Sequence, residues 1–305
     1  MRKFIKKWIK DRLSFLTAKI LSRLFEDNEK SLVALGTLLA NQQKSIISTN
    51  LSDYEFRITS QFGDDGIIQF LVSNLEIENK TFVEFGVENY TESNTRFLLM
   101  KDNWTGLVID GTDANIKYIK KDKYWRHDLR AVCAFITKDN INSLIENSGI
   151  SGEIGLLSVD IDGNDYWVWQ SISVINPVIV VSEYNALFGK NPYSIPYEED
   201  FDFRKKHYSH LYWGASLTAL NYLAEKKGYS FVGCNQAGVN AYFVRKDKLN
   251  SRVVAKSATD NLVVSKFRNS HDIKGKLTFL SNEAAYKEIR GLKVVDVSTN
   301  EVMYL

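Results

Sequence analysis

The sequence predicts an α/β fold, a doubly wound, mostly parallel sheet that ends in an antiparallel hairpin. Three observations carry this. Strand-like and helix-like runs alternate strictly from Thr81 to Ile172, the pattern of a parallel sheet with helices on both faces. Acids and glycines recur where strand-like runs end, at Glu84-Phe85-Gly86, Asp110-Gly111 and Asp160-Ile161-Asp162-Gly163, the edge at which open α/β sheets bind ligands. Tyr229–Gly233 and Asn240–Arg245 are joined by a connection too short for a crossover, so these two strands must be antiparallel.

The strand-like runs are Thr81–Gly86, Gly106–Asp110, Arg130–Ile136, Ile154–Asp160 and Val178–Glu183, short apolar segments bounded by turn residues. Helix-like stretches lie between them at Glu92–Met100, Ala114–Lys120, Lys138–Glu146 and Asp165–Ile172. Upstream, Ser60 to Gly66 reads as a turn that opens a helix over Ile67–Leu75, and a further helix, Ala215–Lys227, precedes the hairpin. Residues 1–55 form an N-terminal helical extension, 56–246 the α/β domain, and 247–305 a C-terminal appendage packed on it. The appendage holds a short helix (Ser281–Ile289) and a strand (Lys293–Val297), and no chemistry is assigned to it.

The bulk numbers exclude several classes. The chain has 305 residues, 44% hydrophobic and 25% charged, ordinary for a soluble globular protein. A net charge of +2 gives no reason to expect a nucleic-acid partner. Cys133 and Cys234 lack metal-ligand spacing and read as free thiols of a reducing compartment. No apolar run reaches the length of a membrane span and no signal peptide is visible, so a cytoplasmic protein is expected. Near the start, Ile5, Trp8, Ile9, Leu13, Leu16, Ile20 and Leu24 form one apolar stripe among lysines. Such a helix packs on the catalytic domain or on a partner subunit of a homo-oligomer, or lies peripherally on an anionic membrane surface.

Chemistry concentrates in Leu156–Trp167, where an apolar strand runs into Asp160, Asp162 and Asp165. One acid would cap the following helix; three exceed that need. Glu183 ends the neighbouring strand and would emerge beside Asp160 and Asp162, where clustered carboxylates repel unless a cation compensates them. All-oxygen ligands suit Mg²⁺ or Mn²⁺; the alternative is a metal-free site with one carboxylate as general base. The first strand leads through Glu84 and Gly86 to a helix, but the fingerprint G-x-G-x-x-G is absent and Tyr90 stands where a later glycine would be. That favours a cationic methionine moiety over a pyrophosphate. Asp110 is placed for a ribose hydroxyl. The long connection from Tyr184 to Trp213, dense in aromatic and charged residues, suits a sugar face plus a phosphate, or else forms a satellite core. His207 and His210 lie within it as candidate proton acceptors.

With these residues in place, the chain resembles the FkbM-type branch of S-adenosylmethionine-dependent class I methyltransferases, above all its bacterial members associated with surface-polysaccharide (capsule) biosynthesis. The resemblance runs from about Ser60 to Arg245 through SQFGDDGI, VEFGVENYTESNT, VIDG, LLSVDIDGNDYW, VSEYN and GYSFVGCN. It implies a Rossmann-like fold with S-adenosylmethionine held at Gln61, Glu84, Gly86, Asn94, Asp110 and Gly111. Read from the residues themselves, the acceptor is expected at Asn164, Tyr184, Asn185, Tyr193 and Tyr197, and catalysis by Asp160, Asp162, His207 and His210. By similarity to metal-dependent O-methyltransferases of the macrolide and catechol types, Asp160, Asp162 and Glu183 would hold the metal. Tyr90 replaces a glycine common in the first motif, and no lysine follows the strand-four acid. The implied activity is O-methylation of a sugar hydroxyl, on a nucleotide sugar or glycan. A natural-product or lipid acceptor, and a non-catalytic scaffold for glycan assembly, are the alternatives.

Overall fold

A computed structural model describes residues 28–305 apart from 125, 267 and 268. The amphipathic helix expected over 1–30 lies outside the described residues except at 28–30. Helix α1 covers residues 28–43 and is followed by α2 (Asp64–Asn74), β1 (Thr81–Phe85), α3 (Arg96–Asp102), β2 (Thr105–Asp110) and α4 (Asp113–Lys123). Next come β3 (Leu129–Cys133), α5 (Ile141–Asn147), β4 (Gly152–Val159), α6 (Asp165–Ser171), β5 (Ile175–Glu183), β6 (Tyr193–Ser194) and α7 (Phe203–Lys206). The chain closes with α8 (Leu217–Lys226), β7 (Tyr229–Cys234), β8 (Asn240–Arg245), α9 (Asn282–Ile289), β9 (Lys293–Asp296) and β10 (Glu301–Tyr304).

Seven strands form one sheet in the order β3-β2-β1-β4-β5-β8-β7. Pairings among β1 to β5 are parallel, and β8 is antiparallel to both its neighbours. This is the doubly wound, Rossmann-like topology that the strand inventory predicts. Side chains alternate across it. On β1, Val83 and Phe85 enter the core packed by α5, α6 and α8, while Phe82 enters the opposite core under α2, α3 and α4. Val159 and Leu157 on β4 join the first, and Leu156 the second. The period of two follows from the pleat, and burial on both faces explains why these strands read as continuous apolar runs.

Two differences from the sequence reading bear on the site. The helix expected from Glu92 begins only at Arg96, because Ser93, Asn94 and Thr95 all donate to the Glu84 carboxylate instead of entering the helix. The connection after β5 is also more structured than a loop. Its β6 pairs with β9, and β9 with β10, in a separate antiparallel sheet. Phe188, Ile195, Phe201, Leu211 and Tyr212 pack there on Ala285, Ile289 and Val294, so the connection and the C-terminal segment share one satellite core. Among the described residues, no helix is long and apolar enough to cross a membrane. Cys133 and Cys234 are free thiols.

Candidate active site

The sheet order reverses between β1 and β4, the topological switch point where open α/β sheets place their ligands. A cavity of about 370 Å³ opens there, beyond the carboxyl ends of β1, β4 and β5. Its wall comes from Gly86–Glu88 after β1, Asp160 and Asp162 after β4, and Glu183–Leu187 after β5. Asn240 at the start of β8 closes one side, and Gln61 and Phe62 another.

The β1 loop is held by charge. Glu84 is buried, and its carboxylate accepts from Asn94 N at 2.8 Å and Thr95 N at 3.1 Å, and from the hydroxyls of Ser93 and Thr95. Burial raises its pKa, and these donors oppose the rise. Glu84 lines the cavity, yet its oxygens are engaged with the chain, so its main work is to shape the loop. Tyr90 takes φ +63°, the left-handed conformation a glycine would favour. Its hydroxyl lies 2.9 Å from Thr95 Oγ1, which fixes the ring in the core.

The β4 loop is built around Asp165, which accepts from Ile161 N at 2.8 Å and Gly163 N at 2.9 Å. Burial pushes its carboxyl up to about 6. This acid is structural. It turns the chain so that Asp162, at φ +55°, and Asp160 project into the cavity. Asp160, Asp162 and Glu183 each offer an oxygen within 4.8 Å of the other two. At that separation two ionised carboxylates repel by about 3 kcal/mol at an effective dielectric of about 20. Burial first, then mutual repulsion, raises the pKa of Asp160 and Glu183 well above the carboxylate range. Asp162 is raised by burial, with Arg204 pulling in the opposite direction. Glu183 Oε2 and Asn240 Oδ1 are buried and have no hydrogen-bond donor among the described residues. An all-oxygen set with unsatisfied acceptors fits a hard divalent cation.

Gln61, Glu84, Gly86, Asn94, Asp160, Asp162, Glu183, Tyr184 and Asn185 all line this cavity. Within that wall, the Tyr184 hydroxyl donates to Val263 O at 2.7 Å, and Asn185 Nδ2 donates to Leu211 O and Trp213 O, so both also shape the connection. Other expected residues stand outside the wall. Asp110 accepts from Thr112 N and Asn115 Nδ2, and neither it nor Gly111 reaches the cavity. Asn164 donates its Nδ2 to Glu198 O at 2.7 Å. Tyr193 belongs to β6, and the Tyr197 ring sits under Lys138 Nζ at 4.5 Å. His207 bonds Ser209 Oγ at 2.7 Å and His210 stacks against His271. All of these lie outside the cavity wall, although Phe203, Arg204, Leu211 and Trp213 of the same connection line it.

The sequence reading did not single out Arg204, Asn240, Asn269, Ser270 and Asn282, all of which line the cavity. Asn269, Ser270 and Asn282 come from the C-terminal segment, which carries no local motif. Arg204 is the lone cationic side chain among the described lining residues, facing Glu84, Glu88, Glu92, Asp160, Asp162 and Glu183.

No family model matches the sequence, and no curated protein matches it. Solved structures resemble it at low identity. PKMT2 from Rickettsia typhi in complex with AdoHcy has a TM-score of 0.42 at 10% identity, covering 63% of this chain and 54% of that one. The N-terminal domain of EvdMO1 with SAH bound has a TM-score of 0.39 at 9% identity, covering 61% of this chain and 80% of that one. An O-methyltransferase from Bacillus cereus, in complex with SAH, has a TM-score of 0.32 at 10% identity, covering 51% and 67%.

Proposed function

We propose that the protein is an S-adenosylmethionine-dependent O-methyltransferase acting on a hydroxyl of an anionic, sugar-like acceptor, in keeping with the nucleotide-linked sugars of surface-polysaccharide synthesis. The observation that carries this reading is the cavity at the β1–β4 switch point, lined by six carboxylates and one guanidinium. The β1 side of that wall, with Glu84, Glu88 and Glu92, favours a cofactor bearing a sulfonium and an ammonium over one bearing a pyrophosphate. The β1 loop, stiffened by Glu84, would receive the cofactor beside Gly86, Gln61 and Asn94.

The opposite wall suits the acceptor. Phe203 and Trp213 offer aromatic faces, Asn269 and Asn282 offer amides, and Arg204 offers a charge for a phosphate or carboxylate. In the reaction the acceptor oxygen attacks the methyl carbon, the carbon–sulfur bond breaks, and the thioether leaves neutral. The hydroxyl proton is lost to solvent water. Holding both reactants in line supplies much of the acceleration. Asp160, Asp162 and Glu183 are read as ligands of Mg²⁺ or Mn²⁺, which when bound would lower the acceptor hydroxyl pKa.

The test is direct. Incubation with S-adenosylmethionine and a panel of nucleotide sugars is expected to yield a product heavier by one methylene, together with S-adenosylhomocysteine. Calorimetry that finds no S-adenosylmethionine binding to the folded protein would overturn the reading.

A further inference from the structure

We infer that Asn240 supplies a further oxygen ligand to the divalent-cation position, and that Asp64 fixes the orientation of its amide. This rests on the metal reading of Asp160, Asp162 and Glu183, and it extends that reading to residues far away in sequence.

The argument begins with strand register. Glu183 and Asn240 stand directly opposite each other in the antiparallel β5–β8 ladder. In the adjoining pair, Tyr184 N donates to Val239 O at 2.9 Å. Hydrogen-bonded and non-bonded pairs alternate along such a ladder, so Glu183 and Asn240 occupy the non-bonded kind, where side chains approach most closely. Both line the same cavity. Asn240 is only 5% exposed, and its Oδ1, like Glu183 Oε2, is buried with no donor. Native structures leave few buried acceptors in that state.

Rotation of the amide does not relieve it. Asn240 Nδ2 donates to Asp64 Oδ1 at 3.1 Å, and the same oxygen accepts from Asn235 Nδ2 at 3.0 Å and from the Tyr242 hydroxyl. A flipped amide would set oxygen against carboxylate oxygen. The main chain is pinned as well, since Asn235 N donates to Asn240 O at 3.0 Å and Asn240 N to Asn235 Oδ1 at 3.2 Å. Asn240 Oδ1 is therefore presented in one direction, across the ladder from Glu183, whose Oε2 also lacks a donor among the described residues. Acceptors without donors are what a hard cation recognises, and amide oxygens join carboxylates in such shells. A neutral ligand adds coordination without adding to the repulsion among the three acids. Asp64 is the positioning residue, and it ties the first turn of α2 to the cation position.

Mn²⁺ binding to the full chain, followed by electron paramagnetic resonance and calorimetry, tests this. Wild type is expected to bind Mn²⁺ and Asp160→Asn to lose that binding. Asn240→Ala is expected to weaken it about tenfold or more, in the range seen when metal-site partners are removed. The exchange Asp64→Asn with Asn240→Asp keeps an oxygen at position 240 and a donor at position 64, and is expected to bind at least as tightly as wild type. Asp64→Asn frees the amide to turn and is expected to weaken Mn²⁺ while leaving S-adenosylmethionine affinity unchanged. Wild-type Mn²⁺ affinity in Asn240→Ala overturns the inference and leaves the metal reading standing. Absence of Mn²⁺ binding in wild type overturns both. If Asn240→Ala does not fold, weakened Mn²⁺ binding in the folded Asp64→Asn, Asn240→Asp exchange variant overturns the inference.

Discussion

A β-carbon at Gly86 would lie 1.8 Å from the main-chain oxygen of Asp160. The loop after β1 and the loop after β4 therefore touch backbone to backbone, at φ +70° for Gly86, and the contact forms the floor of the cavity. Gly86→Ala must both adopt a left-handed conformation, at about 1–2 kcal/mol, and push the Asp160 loop away. Thermal unfolding is expected to show a loss of several degrees, and calorimetry a loss of S-adenosylmethionine binding. An unchanged melting temperature would mean that the two loops do not meet in this way.

Glu84 holds the same loop from below. A glutamine there meets a clash in either amide orientation, because its NH₂ must face Asn94 N–H or Thr95 N–H, both of which donate to the carboxylate. Glu84→Gln is expected to destabilise the fold by about 2–3 kcal/mol, the scale of lost hydrogen bonds to a charged group. Urea denaturation measures it, and a variant as stable as wild type would contradict the assignment.

These loops show how far the sequence can be read. The alternation of Phe82, Val83 and Phe85 between two cores is local, and so the sheet is legible. The acids at the ends of β1, β4 and β5 are legible for the same reason, since a strand's end fixes where its last side chains emerge. The role of Asn240 is not legible, because it depends on Asp64, 176 positions away. Nor is the C-terminal wall, whose residues reach the cavity only because β9 pairs with β6. His207 and His210 looked chemical from residue type alone. Their placement is set by the satellite core, which no local pattern encodes.

The histidines carry a prediction of their own. His207 and His210 have pKa values lowered below 6.5, by burial first and, for His210, by the neighbouring His271. A base with a depressed folded-state pKa contributes stability that is present above its unfolded value and is lost as pH falls through the folded one. Wild type is therefore expected to lose melting temperature below pH 6.5 more steeply than His210→Asn, where asparagine tolerates the left-handed backbone at this position. Both His207→Gln and His210→Asn are expected to retain turnover within a few-fold. A hundredfold loss of kcat in either would restore it to the chemistry.

Chelation tests the acids. EDTA is expected to abolish turnover and Mg²⁺ or Mn²⁺ to restore it, with Asp160→Asn and Glu183→Gln nearly inactive. Both variants also relieve the repulsion between acids held within 4.8 Å, so they are expected to melt higher than metal-free wild type while losing activity. Full activity after exhaustive chelation would recast these carboxylates as a general base and its neighbours.

The acceptor side turns on Arg204. Its guanidinium lies 5.2 Å from the Phe203 ring centroid and is close enough to Asp162 to hold that acid's pKa down against burial. It is exposed and, among the described residues, has no carboxylate within ion-pair distance, so it is available to an incoming anion. One charge-assisted contact of this kind, worth ~1.4 kcal/mol, corresponds to about tenfold in affinity. Arg204→Gln is thus expected to raise the acceptor KM about tenfold, with kcat at saturating acceptor and the affinity for S-adenosylmethionine close to wild type. Arg204→Lys keeps the charge but loses the planar fork, and it is expected to fall between the two. Added salt is expected to raise the wild-type KM and to leave that of Arg204→Gln nearly flat, because screening acts only where the charge is present. An unchanged acceptor KM in Arg204→Gln, or a loss of cofactor binding instead, would remove this residue from the acceptor wall.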